Sequence, residues 1–217
     1  MLIIKLLHLH THTHFCFSST YLQIPSDTQA GLDLLDSIPN IPPGGILGPV
    51  ANLFRPTEDH YLTALEVTAA GRLFQIVVQN AEVASTVVEF CRTRRVGRLT
   101  LLPLNEMNDA VKPPRFPEDD QRCFPLINCI EFDESVRSIM LSVFGNTLLC
   151  ENLQTATDVA REYNMNCVTL DGEKVGKRGA IRGGYQDSRS SRLRSWYNMQ
   201  TRQETVRESI LESVINH

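Results

Sequence analysis

From residue 61 onward, apolar and polar positions alternate between two periods, and the alternation predicts an ordered series of strands and helices. Residues 61–67 and 72–78 are rich in β-branched and apolar side chains, and 68–71 separates them, which predicts a hairpin. Asn80 then caps a predicted helix over 81–95, whose apolar face is Val83, Val87, Phe90 and Cys91. Gly97 ends it, and a strand is predicted over 98–102. A strand–helix–strand unit of this kind crosses over right-handedly and pairs its strands in parallel. Residues 103–125 are polar and proline-rich, as expected of a loop or excursion. The pattern resumes with a short strand over 126–130. A helix capped by Asp133 follows, carrying Val136, Ile139, Met140 and Val143 and closed by Gly145. A strand at 147–150 leads to a helix capped by Asn152 with Thr155, Ala156, Val159, Ala160 and Tyr163 inward, then a strand at 167–170.

The two strand–helix–strand units repeat each other. VVQNAEVA (77–84) aligns with LCENLQTA (149–156), placing Asn80 over Asn152 and Ala84 over Ala156. RLTLL (98–102) aligns with CVTLD (167–171), placing Thr100 over Thr169. The shared order predicts a mixed α/β fold with two pseudo-symmetric halves.

The ends read differently. Residues 1–45 hold alternating His8, His10, His12 and His14 and lead into a Pro/Gly-rich run over 37–49. They are expected to be an irregular, poorly ordered leader; a strand with all four imidazoles on one side is the metal-binding alternative. The apolar start is broken by Lys5 and His8 and has no clear cleavage site, so it does not read as a signal peptide. Residues 187–217 are helix-compatible. Trp196, Met199, Val206 and Ile210 fall on a 3-4 spacing that fits the start of a coiled coil or an ordinary amphipathic helix.

Composition narrows the function. With 217 residues, 42% hydrophobic and 21% charged, the chain is an ordinary globular sequence. Six cysteines in 217 residues are too sparse for a disulfide scaffold, and with no CxxC pair zinc-ribbon or thioredoxin-like chemistry is unexpected. No apolar run has the length of a membrane span. The net charge of −4 hides a strong local excess: between Gly172 and Arg194 stand seven Lys or Arg and two acids, a net of +5 that leaves −9 elsewhere. Such a patch is a solvated loop or a surface that neutralises nucleic-acid phosphates. A second cluster, Arg92, Arg94, Arg95 and Arg98, sits where cations favour a helix C-terminus.

Catalytic chemistry finds little support. Gly172, Gly176 and Lys177 have three residues between the glycines and Arg178 after the lysine, which is not a phosphate loop. Gly179, Gly183 and Gly184 do not form a dinucleotide fingerprint. No metalloprotease, serine-hydrolase or paired-carboxylate motif occurs, and the cysteines at 91, 129, 150 and 167 fall in apolar contexts expected to be inert core. No cofactor and no enzymatic activity are expected. The glycines of 179–184 are a plain surface turn or a place where a second backbone approaches.

One stretch carries a family signal. TLDGEKVGKRGAIRGGYQDSRSSRL (169–193) resembles the end of the hinge domain of structural maintenance of chromosomes (SMC) proteins, most like the third SMC subunit of cohesin. ALEVTAAGRLF (64–74), LTLLPLN (99–105) and VFGNTLLC (143–150) are similar to it in the same order. The resemblance implies a hinge over 46–186 built of two α/β halves, followed by a coiled-coil start over 187–217. It implies dimerisation with a partner SMC hinge, of the type of the first cohesin subunit, in the nucleus on chromosomes. It places Gly179, Gly183, Gly184 and Tyr185 at one interface and the segment of Leu73 and Phe74 at another. Lys177, Arg178 and Arg182 become candidate DNA contacts. The family's ATPase heads have no counterpart motif in this chain.

Overall fold

The computed structural model describes residues 26–111, 114–117, 120–184 and 191–215. In chain order the elements are α1 (Ser26–Leu32), β1 (Ile46–Pro49), β2 (Phe54–Pro56), α2 (Leu62–Ala69), β3 (Ile76–Val78), α3 (Ala81–Arg94), β4 (Leu101–Pro103) and α4 (Leu104–Ala110). Then come β5 (Cys123–Pro125), β6 (Ile130–Phe132), α5 (Arg137–Phe144), β7 (Thr147–Cys150), α6 (Leu153–Tyr163), β8 (Asn166–Thr169), β9 (Lys174–Val175), β10 (Ile181–Arg182) and α7 (Arg192–Ile215). The histidine run lies outside the described residues.

The chain divides into two compact units. The first comprises residues up to Val50 together with Phe74–Ala110. Its sheet has the order β1-β3-β4, with β1 antiparallel and β4 parallel to β3. Ile76, Val77 and Val78 are fully buried, as a central strand covered on both faces must be. Val83, Val87 and Cys91 supply the buried stripe of α3 that covers this sheet. The described part of the leader is not bare. Leu32 is fully buried, and a side chain at Gly31 would stand 2.7 Å from the Leu99 side chain, so α1 packs closely within this unit.

The second unit comprises Ala51–Leu73 and the chain from Val111 on. Its main sheet has the order β10-β9-β8-β7-β5, with the parallel pair β7 and β8 flanked by antiparallel strands. Its core gathers Leu148, Cys150, Ala156, Val159, Ala160, Cys167 and Val175. A separate antiparallel pair joins β2 to β6, from Phe54↔Phe132 to Pro56↔Ile130.

The repeat read from the sequence is present in the backbone. In both units a parallel strand pair brackets a helix with an asparagine N-cap. Asn80 accepts from the Val83 N–H at 3.0 Å, and Asn152 accepts from the Thr155 N–H at 2.9 Å. Both helices end in a left-handed residue, Arg95 at φ 54° and Asn164 at φ 53°. That conformation at a helix terminus satisfies the last carbonyls.

Three local expectations change. The predicted 61–78 hairpin is instead α2, a 3-10 turn over Ala70–Phe74, and the short strand β3. Leu62, Leu65, Glu66 and Ala69 recur at helical spacing and are all buried, so tertiary burial outweighs the β-branched composition of Thr63, Val67 and Thr68. Residues 126–130 form a 3-10 turn over Leu126–Cys129 before β6 begins at Ile130. The excursion after 103 holds a short helix, α4, and the strand β5. Between those two elements, Arg122 donates to both Asp120 and Glu162, and the Tyr163 hydroxyl donates to Asp120 at 3.0 Å. The Arg122 guanidinium and backbone N–H hold the Asp120 carboxyl well below the usual carboxylate range.

Candidate strand-edge interface

The five-stranded sheet ends in a small hairpin. Val175 pairs with Cys167 on one side and Ile181 on the other, and Lys174 pairs with Val168 and Arg182. The Gly176 N–H donates to the Ala180 carbonyl at 2.8 Å, and the Gly179 N–H donates to the Gly176 carbonyl at 2.7 Å. Gly179 adopts φ +88°, which only glycine takes without strain, so its role is the turn itself. Val175 is buried and anchors the hairpin, whereas Ile181 is 55% exposed. β10 is the terminal strand of its sheet, so among the described residues one row of its backbone N–H and C=O groups has no partner strand.

Gly183 differs from its neighbours. Its φ is ordinary, and a side chain there would meet only the Glu173 side chain at 3.4 Å, an ordinary contact. Packing within the chain therefore does not require glycine at 183. Gly184, at φ +140°, opens onto empty space. Tyr185 lies outside the described residues.

The charges gather at the same hairpin. Lys177, Arg178 and Arg182 are exposed, as expected for candidate anion contacts. Lys174 is half-buried, and its pKa is lowered first by burial and then by the nearby Arg72 and Arg182. Arg72 thus joins a cluster that sequence distance hides; its guanidinium is held by donation to the Ser142 carbonyl at 2.6 Å. Leu73 and Phe74, expected at a second strand edge, are 0% and 3% exposed. The 3-10 turn that replaces the predicted strand points them into the interior, so their side chains are not on a surface edge.

The first unit nevertheless has an edge of its own. β4 is the terminal strand of its sheet, with all three residues half-buried. Beside it lies a cleft of about 220 Å³ lined by Val87, Val88, Cys91, Leu99 and Leu101, with Arg92 and Arg98. Val88 is 53% exposed there. Sequence reading assigned the arginines to the helix terminus and passed over this cleft.

Residues 43–160 match the family model of the SMC proteins flexible hinge domain, more than half of the chain. The chain belongs to the SMC hinge family. A curated relative, structural maintenance of chromosomes protein 3 of Arabidopsis thaliana, is 34% identical over 78% of this chain and 14% of its own length. The chain spans about an eighth of the length of the curated relatives it matches. Among solved structures, the folded elbow of cohesin superposes with a TM-score of 0.70 at 26% identity, covering 88% of this chain and 28% of that one. An asymmetric dimer of the Geobacillus stearothermophilus SMC hinge domain gives 0.66 at 26% identity, covering 96% and 82%. The mixed α/β architecture expected from the sequence is that of these hinges.

Among the described residues no three metal-ligating side chains converge, and no helix is long and apolar enough to cross a membrane. Cys91, Cys123, Cys129, Cys150 and Cys167 are buried free thiols. Burial pushes Cys123 up to about 11 and Cys129 up to about 12, which keeps both thiols protonated and unreactive near neutral pH.

Proposed function

We propose that this hinge is a dimerisation module that pairs with the hinge of a partner SMC protein, in a cohesin-type complex the first SMC subunit. It would serve chromosome organisation and sister chromatid cohesion in the nucleus rather than catalysis. The observation that carries this reading is the open edge of β10, with exposed Ile181 and, two residues on, Gly183, which packing within the chain does not require. An extended strand added to such an edge gains main-chain hydrogen bonds, and pockets for alternate side chains give it specificity. The terminal strand β4, with its apolar cleft, is the matching edge in the first unit.

The Ile181→Asp variant is expected to leave monomer stability within about 0.5 kcal/mol of the parent, because the side chain is exposed. It is expected to weaken partner binding about tenfold or more, as loss of an apolar anchor does. Gly183→Glu plus Gly184→Glu should weaken it further by blocking backbone approach. Calorimetry against a first-subunit hinge of cohesin measures both. An unchanged affinity, with circular dichroism intact, sinks the reading.

A second reading has its own observation, the cluster of Arg72, Lys174 and Arg182 beside exposed Lys177 and Arg178. In it the hinge binds DNA through phosphate contacts. Replacing Lys177, Arg178 and Arg182 by alanine is expected to lower the slope of log affinity against log salt by roughly 2–3. A slope that does not move removes the reading.

A further inference from the structure

The two open edges carry charge of the same sign. Arg98 is exposed, lines the cleft beside β4 and has no ion pair among the described residues. Its neighbour in the cleft, Arg92, is paired with Glu89 at 2.7 Å, which leaves Arg98 as the uncompensated charge there. On the other edge, Arg182 sits between the exposed Ile181 and Gly183 and also lacks an ion pair among the described residues. Lys174 is its register partner across the hairpin, and Arg72 lies near Lys174. Paired strands lie about 4.8 Å apart. Arg98 stands three residues before Leu101, so a β10 laid along the β4 of a second copy sets the two backbones roughly 11 Å apart at about 3.3 Å per residue, close to the ~10 Å screening length at 0.1 M salt, and the long arginine side chains can shorten that distance.

We infer that Arg98 and Arg182 disfavour pairing between two copies of this chain and select a partner hinge that carries carboxylates beside its edge strands. This rests on the edge-pairing reading above and adds the chemistry of the partner to it. The apolar contact of Ile181 with the cleft is available to a self copy and to a foreign hinge alike, so it does not discriminate between them. Like charges facing each other across an interface do discriminate, because they raise the cost of the wrong complex. The expected partner replaces one or both arginines by Asp or Glu at the matching strand positions. It then gains an attraction where a self copy meets a repulsion.

A charge-reversed copy of this chain serves as the probe. The Arg98→Glu/Arg182→Glu double variant, like the parent, has two edges of one sign and is expected to self-associate weakly. Mixed in equal amounts, parent and double variant are expected to pair at least about tenfold more tightly than either does alone at about 0.05 M salt, and to lose that excess near 0.5 M. Sedimentation equilibrium with one species fluorescently labelled reads all three associations, and circular dichroism confirms that both species are folded. A parent that self-associates at low salt as tightly as the mixture, or a mixture with no excess, overturns the inference. If the mixture shows no excess while Ile181→Asp still weakens binding to a cohesin first-subunit hinge, edge pairing stands and charge selection falls. If Ile181→Asp changes nothing either, edge pairing itself has failed.

Discussion

Trp196→Ala is expected to destabilise the second unit by about 3–5 kcal/mol, the range for truncating a large aromatic in a core. Trp196 is fully buried, and its indole N–H donates to Asn52 Oδ1 at 2.7 Å. The Gln200 amide donates to the same oxygen. One turn of α7 thus docks on the segment just before β2. Its neighbours extend the contact. The Tyr197 hydroxyl donates to the Phe54 carbonyl at 3.1 Å, and Arg55 lies 4.5 Å over the Tyr197 ring while donating to Gln200 at 3.0 Å. Phe54 in turn packs edge-on against Phe144 at 5.1 Å. Removing the indole empties the centre of this cluster, while the cap at the start of α7 remains. Trp196→Phe keeps most of the volume and leaves Asn52 bonded to Gln200, so about 1 kcal/mol is expected, the net worth of one hydrogen bond. Urea unfolding followed by far-ultraviolet circular dichroism checks both; fluorescence cannot serve, since Trp196 is the chain's single tryptophan. A midpoint for Trp196→Ala equal to that of Trp196→Phe would contradict the packing account.

Trp196 also shows where sequence reading stops. Its 3-4 spacing with Met199 fits a coiled-coil seam, but the same spacing describes any helix with one buried stripe. What Trp196 packs on is set by Asn52, 144 residues earlier, and no local pattern announces that pairing. The strand–helix–strand repeat was legible for the opposite reason. Asn80 and Asn152 each satisfy a helix donor three residues on, so cap, helix and following strand are written within one short stretch. The hairpin expected at 61–78 failed because Thr63, Val67 and Thr68 favour strand locally, while the burial of Leu62, Leu65 and Ala69 that makes the segment a helix is a tertiary fact. At the candidate site, the glycines and cations of 176–184 were visible as composition. That Gly179 serves a turn while Gly183 serves no contact within the chain required backbone angles and neighbours. The approach of Arg72 to Lys174 joins two distant stretches of sequence, so nothing short of the fold reveals it.

Glu66→Ala is expected to cost about 3–5 kcal/mol, as removal of one member of a buried ionic network does. Glu66 interrupts an apolar run in α2, and only 5% of its side chain is exposed. Its carboxylate accepts four hydrogen bonds: from Ser191 Oγ at 2.6 Å, Arg192 N at 3.2 Å, Arg192 Nε at 3.1 Å and Leu193 N at 3.3 Å. Two of these are the leading backbone donors of α7, which have no partner inside their own helix. Ser191 Oγ accepts from the Arg194 N–H at 3.1 Å, so serine and glutamate together cap the helix. Alanine in place of Glu66 leaves one buried and one partly buried backbone N–H and a partly buried guanidinium without this acceptor, and the penalty is mainly their desolvation. Glu66→Gln keeps one acceptor oxygen but loses the charge, and a cost of about 1–2 kcal/mol is expected. Ser191→Ala removes only the capping hydroxyl, for about 1 kcal/mol. Urea midpoints that rise in the order Glu66→Ala, Glu66→Gln, Ser191→Ala are the signature of a charge-assisted cap. Because this cap begins α7, hydrogen exchange should show its first turn opening in Glu66→Ala while the amides of β7 and β8 stay protected. If α7 and those central strands lose protection together, Glu66 supports the whole unit instead of fastening one helix to it.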